Sequence, residues 1–265
     1  MALPPALAID LRNILRAFRA AHGTAAVPGG AGKALEAWLL MKLAETATLM
    51  PSWRVSLRQG DGSLLPTGAA FKLPAQRSPI PASSPIASGF VLFEHRDYPE
   101  RRLELHGSLQ WRGRSNAKHE CDISMVPALI GEALRNSGGG HPHGLPIVAI
   151  ECKDKTSVGT LDETRQALAR MFDLVLVTQP YSGWSCRIYE ANTYQYWGRK
   201  SSKYVAFFAK GTFGIARAGS FQGGAKQLGS HYHVGRYDGI YAAGGASLPT
   251  LLSSFRTTLA MIGQF

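Results

Sequence analysis

Residues 146–153 read PIVAIECK, and residues 161–179 follow as LDETRQALARMFDLVLVTQ. Four apolar residues in succession after Pro146, without polar alternation, predict a strand covered on both faces. The spacing of apolar residues from Leu161 to Phe172 predicts a helix, and LVLVTQ (174–179) reads as a second buried strand. Strand, helix and strand in that order imply a right-handed crossover between parallel neighbours. Upstream, GFVLFEH (89–95), RRLELHGSLQW (101–111) and AKHECDISMV (117–126) read as antiparallel strands. Together they predict an α/β chain, a mixed central sheet flanked by helices.

Further out, Leu11, Ile14, Leu15 and Phe18 form one stripe of a helix over 9–20, with Arg12, Arg16 and Arg19 on its other side. A second helix is expected from Ala31 to Leu49, between the Pro28-Gly29-Gly30 break and Pro51. Five prolines between 66 and 85 mark residues 60–89 as irregular, with room for short strands. A short helix from Ala128 to Arg135 and a flexible Gly138-Gly139-Gly140 precede Pro146. Ten glycines between Gly211 and Gly245 show no repeat period.

Four polar side chains interrupt these apolar elements. Glu151 and Lys153 stand two apart at the end of the buried strand, so they project from one face. Asp122 interrupts the end of the strand HECDIS. Glu36 lies within about 60° of Leu39, Leu40 and Leu43 around the second helix, in its apolar stripe, where a solvated glutamate does not belong. Ionised groups in apolar elements are costly without partners or work. Three carboxylates make an oxygen-rich cluster suited to Mg²⁺ or Mn²⁺, not to zinc.

Asp122, then Glu151-Cys152-Lys153 on the next core strand, then a helix and a further strand resembles the PD-(D/E)XK nuclease superfamily, with its restriction-endonuclease-like fold. Glu36 matches the acid that many members carry on the first core helix, and Gln166 a helical glutamine of several branches. Cys121 replaces the motif's proline, and the long gap between Asp122 and Glu151 requires an insertion at about 127–145. The resemblance implies Mg²⁺-dependent hydrolysis of DNA phosphodiester bonds, with Mn²⁺ able to substitute. It assigns catalysis to Glu36, Asp122, Glu151 and Lys153. The ion would be held by Asp122, Glu151, Glu36 and the Cys152 backbone carbonyl. Gln166, with Arg165 or Arg170, would meet the substrate backbone, joined by Arg199, Lys200 and Lys203. A restriction or anti-phage role and a homodimer or higher homo-oligomer follow from the resemblance alone. The expected organisation is an N-terminal helix and linker over 1–30, a nuclease-like core over 31–198, and a basic, glycine-rich extension over 199–265 packed on the core.

Composition agrees with a polyanionic partner. The 265 residues carry 29 Lys and Arg against 18 Asp and Glu, a net charge of +11. More than half of that excess lies beyond Arg199, where eight basic residues face the single acid Asp238, beside Tyr194, Tyr196, Trp197 and Tyr204. With 45% hydrophobic residues the chain can bury a core, which excludes a wholly disordered protein. There is no run long enough to span a membrane, and three cysteines point to a reducing cytoplasm. Gly29-Gly30-Ala31-Gly32-Lys33 lacks the first glycine, the Ser or Thr and the preceding strand of a phosphate loop. His141 and His143 lack zinc spacing, and His119-Glu120-Cys121 lacks the second half of a deaminase site. The alternatives to an endonuclease are a non-cleaving nucleic-acid-binding module on the same fold, a repair or exonuclease-type relative, and an interaction protein whose basic tail serves solubility.

Overall fold

The computed structural model describes residues 3–21, 33–113, 115–143, 146–174, 212–232, 234–242 and 244–262, and the backbone course of 187–190 and 193–196. Helix α1 (Pro5–Ala17) opens with a proline in its first turn, where the missing N–H costs nothing, and buries Leu11, Ile14 and Leu15. Its Asp10 accepts the Trp38 indole N–H at 2.9 Å and meets Lys42, pinning α1 to α2 (Lys33–Thr48). Helix α2 is buried on most sides, from Leu35 and Trp38 to Ala47, with only the stripe of Lys42, Glu45 and Thr48 reaching solvent toward its end, so it is a core helix.

The strands are β1 (Trp53–Arg58), β2 (Ile80–Pro81), β3 (Phe90–His95), β4 (Arg102–Arg112), β5 (Lys118–Pro127), β6 (Gly139–Gly140), β7 (Val148–Lys153), β8 (Arg187–Glu190), β9 (Thr193–Tyr196), β10 (Thr212–Arg217) and β11 (Gly235–Tyr237). Seven form one mixed sheet in the order β1-β3-β4-β5-β7-β10-β11. From β1 to β7 neighbours run antiparallel; β7, β10 and β11 run parallel. β2 pairs with β6, and β8 with β9. The long gap between Asp122 and Glu151 holds α3 (Ala128–Asn136) and β6, as the spacing requires.

Helices cover both faces of the sheet. On β10 the Thr212 hydroxyl bonds Thr258 of α6 (Ser247–Ile262) at 3.1 Å, whereas Arg217, of opposite alternation, bonds Glu163 of α4 (Leu161–Leu174) at 2.6 Å. On β4, Gly107 backs onto Leu40 of α2, and Glu104 pairs with Arg135 of α3. Thus α2 and α6 lie on one side and α3 and α4 on the other. Helix α5 (Gly223–His231) connects β10 to β11.

Two sequence expectations change here. The parallel neighbour of β7 is β10, reached after α4; the expected strand at 174–179 lies, past Leu174 at the end of α4, outside the described residues. The division at residue 198 is not a structural seam either. β10 and β11 are woven into the central sheet, and α6 packs against α2, so the C-terminal third completes the core. Thr212, Phe213, Ile215 and Ala216 are buried, and Gly214 leaves room for the close approach of Gly235.

Candidate active site

The sheet changes character where β4, β5 and β7 meet. Ile123 faces Ile150 in the last paired rung of β5 and β7. Beyond it the Cys152 N–H donates to the Asp122 side chain, Oδ2, at 2.7 Å, so a carboxylate fills the gap between the parting strands. On β4, Ser108 has φ 48°, a left-handed conformation unusual for a residue with a Cβ. Gly107 already faces Leu40 of α2, and Ser108 turns its hydroxyl to Glu36 of the same helix at 2.9 Å. Two consecutive residues therefore face α2. Such a slip of the alternation re-aims a side chain at an acidic centre.

Glu36 is buried and held twice, by Ser108 and by the Lys33 ammonium one helical turn back at 2.6 Å. Lys33 is itself buried, also hydrogen-bonds Ser108, and stands 3.9 Å from Glu120. Burial raises the Glu36 pKa more than Lys33 and Ser108 lower it. Under α4 lies a second cluster. Arg170 donates to Glu151 at 2.5 Å and to the Glu120 carbonyl at 3.0 Å, while Lys153 pairs with the other Glu151 oxygen. Burial opposes ionisation of Glu151, but Arg170 and Lys153 outweigh it and hold its pKa low. Burial likewise works against the Lys153 ammonium, yet Glu151 and then Asp122 keep its pKa above the ordinary value.

Asp122 stands between the two clusters. It is pushed up to about 8, first by burial and then by the charges of Glu151 and Glu36; the Cys152 N–H and Lys153 pull the other way. The described residues offer its Oδ1 no hydrogen bond. A proton on Asp122 at neutral pH marks a place short of positive charge, which a divalent cation would supply. The donors present are carboxylate oxygens, which fit Mg²⁺ or Mn²⁺ in kind. Among the described residues, though, no three His, Cys, Asp or Glu side chains are grouped closely enough to hold an ion as they stand. Lys33, Lys153 and Arg170 occupy oxygens that such an ion would use.

The structure therefore joins Glu151 directly to Lys153 and sets Asp122 within the influence of both Glu36 and Glu151. Cys152 contributes its N–H to Asp122. Gln166 and Arg165 are exposed on α4, Arg165 pairing with Asp162 at 3.0 Å, and neither touches the four acid-site residues. Arg170, one further turn along, is the α4 residue that reaches the site. Arg199, Lys200 and Lys203 lie outside the described residues, as do Trp197 and Tyr204. Lys33, Ser108 and Glu120 escape sequence reading. For Lys33 a signal exists, a lysine three residues before the buried Glu36 on one helical face. For Ser108 there is none, because its role comes from a backbone angle. Cys121 and Cys152 are buried free thiols whose pKa values rise through burial first, then through the neighbouring carboxylates.

No protein-family model, no curated protein and no solved structure matches this chain. No helix among the described residues is long and apolar enough to cross a membrane.

Proposed function

We propose that this chain is a metal-dependent nuclease with a restriction-endonuclease-like core, an endonuclease that hydrolyses DNA phosphodiester bonds. The observation that carries the reading is Asp122, a buried carboxyl group bonded to the Cys152 N–H where β5 and β7 part, with Glu151 and Lys153 on the adjoining strand and Glu36 on α2 close enough to act on it. Asp122 and Glu151, with Glu36 and the Cys152 carbonyl, would hold Mg²⁺ or Mn²⁺. When bound, the ion polarises a phosphate oxygen and lowers the pKa of a water. Lys153 keeps its proton, since its pKa is raised; its work is to stabilise negative charge developing on the phosphate, not to accept a proton. Arg170 steadies the Glu151 carboxylate, and Lys33 with Ser108 fixes the direction of Glu36. A homo-oligomer that cuts both strands, and a restriction or anti-phage role, belong to this proposal through the family resemblance.

Incubation with supercoiled plasmid tests it. Nicked and linear products should form with Mg²⁺ or Mn²⁺, vanish with chelator, and fall by about 10²-fold or more in Lys153→Ala. Independently of cleavage, Mg²⁺ should raise the melting temperature of the wild type and leave that of Asp122→Asn unchanged. Cutting that persists in both variants would overturn the assignment.

One observation favours a second reading, a DNA-binding module that does not cut. Glu36 and Glu151 are already neutralised by Lys33, Lys153 and Arg170, as a retired metal site would be. On that reading the wild type retains duplex DNA yet leaves plasmid intact with either ion. An exonuclease-type relative instead degrades linear DNA and spares covalently closed circles.

A further inference from the structure

The free ends of β4 and β5 form a ribbon that continues outward from the acidic centre. Strand alternation puts Gln110 and Arg112 on the face of Ser108, and Lys118 on the face of Glu120 and Asp122. Arg112 and Lys118 are directly opposite one another in the ladder. Like charges in that position destabilise a strand pair. Neither meets a carboxylate among the described residues, and the buried Nε of Arg112 has no hydrogen-bond partner there. The loop along the outer edge adds His141, whose Nδ1 lies 3.0 Å from the Gln110 carbonyl, and His143, bridged to Arg112. Their pKa values are depressed, that of His143 to about 4, first by burial and then by Arg112 and, for His141, Lys118. Both cations thus act on the loop that flanks the ribbon's end.

Nearer the acidic centre stands Arg77. Its own N–H is fastened to the Glu120 carboxylate at 3.0 Å, and the loop carrying it is bonded along β4 through Ser78 to Ser108 and Gln110. The side chain is left 78% exposed, with its Nε 3.9 Å from Glu120. A hydrogen-bonded backbone that presents an exposed cation to solvent suits a ligand arriving from outside.

We infer that this ribbon is a phosphate-backbone contact surface: duplex DNA entering the acidic centre runs out over Arg77, Lys118 and Arg112. The partner is a polyanion because the surface carries three permanent cations, with Glu120, shared between Lys33 and Arg77, the carboxylate at their inner end. This inference deepens the nuclease reading and rests on it for the identity of the polyanion. It places the contact in the described core, independently of the basic residues at 199–203.

Binding is measured without cleavage, by fluorescence anisotropy of a labelled duplex with Asp122→Asn protein, in chelator and over a range of salt. Each lost phosphate contact should weaken binding to all sequences alike and flatten the plot of log affinity against log salt by about 1. Arg77→Ala with Lys118→Ala, both exposed and harmless to folding, should flatten it by about 2; adding Arg112→Gln should bring the loss to about 3. Arg12→Ala, on the exposed face of α1, should change nothing. An unchanged slope in the triple variant, from a protein whose wild type cuts plasmid, overturns the ribbon and spares the nuclease. A wild type that neither cuts plasmid nor binds the duplex at low salt overturns both.

Discussion

Asp122 illustrates how one residue links charge to stability. Its folded pKa of about 8 lies above the ordinary aspartate value of 3.8, so the folded protein binds a proton that the unfolded chain has released. Between about pH 4 and pH 8 stability therefore falls as pH rises, because the native state must either keep the proton or bury a third negative charge. Asparagine keeps an oxygen for the Cys152 N–H and has no charge to bury. Asp122→Asn should match the wild type near pH 4 and become steadily the more stable of the two as pH rises to 8.5. Urea unfolding of both proteins across that range measures the difference. A difference that does not grow with pH would remove the burial argument. Glu104 on β4 behaves in the opposite sense. Glu104 is wholly buried, and although burial opposes its ionisation, Arg135 and His106 keep its pKa low. It supports the fold above the ordinary glutamate range and loses that support as pH falls.

At the scale of elements, the slip in β4 is what turns a regular sheet into a site. A residue with a Cβ in the left-handed region costs about 1–2 kcal/mol relative to glycine, and the Ser108–Glu36 hydrogen bond returns about 1 kcal/mol. Alanine keeps the strain and loses the bond; glycine loses both. Ser108→Gly should therefore be more stable than Ser108→Ala by about 1 kcal/mol, the reverse of the usual order within a strand. Urea midpoints of the two variants decide it. Alanine above glycine would mean that β4 is not slipped at this position. A comparable device fastens the loop after β7. Arg217, fully buried at the end of β10, bonds Glu163 of α4 and the Ser157 backbone, holding the segment that follows Lys153.

For the whole molecule, the order of strands matters more than the order of residues. β7 lies between β5 and β10, and its second edge is paired because the chain returns from its last third to supply β10, followed by β11 and α6. A chain ending at residue 198 would leave β7 as an open edge and strip α6 from α2, uncovering apolar surface on both sides of the sheet. Such a truncation should lose its near-ultraviolet dichroism and its cooperative unfolding. A truncated protein that still melts cooperatively would restore the idea of a separate extension.

Much of this was written in local pattern. PIVAIECK, GFVLFEH, RRLELHGSLQW and AKHECDISMV each announce a strand through apolar runs and bounding turns. Helices α2, α3 and α4 begin and end within two residues of their expected bounds, because proline, glycine and the 3.6-residue period act over a few neighbours. The same patterns single out Glu36, Asp122, Glu151 and Lys153 as misplaced charges. What local pattern does not carry is which distant segment completes the sheet. Phe213 to Ala216 become a central strand through their pairing with β7, a contact some sixty residues away whose formation depends on chain closure and packing. Nor does it carry the partners of those charges. Lys33, Arg170 and Ser108 meet the carboxylates through tertiary approach and one unusual backbone angle, and electrostatic energy depends on distance and burial, which exist only once the chain has folded.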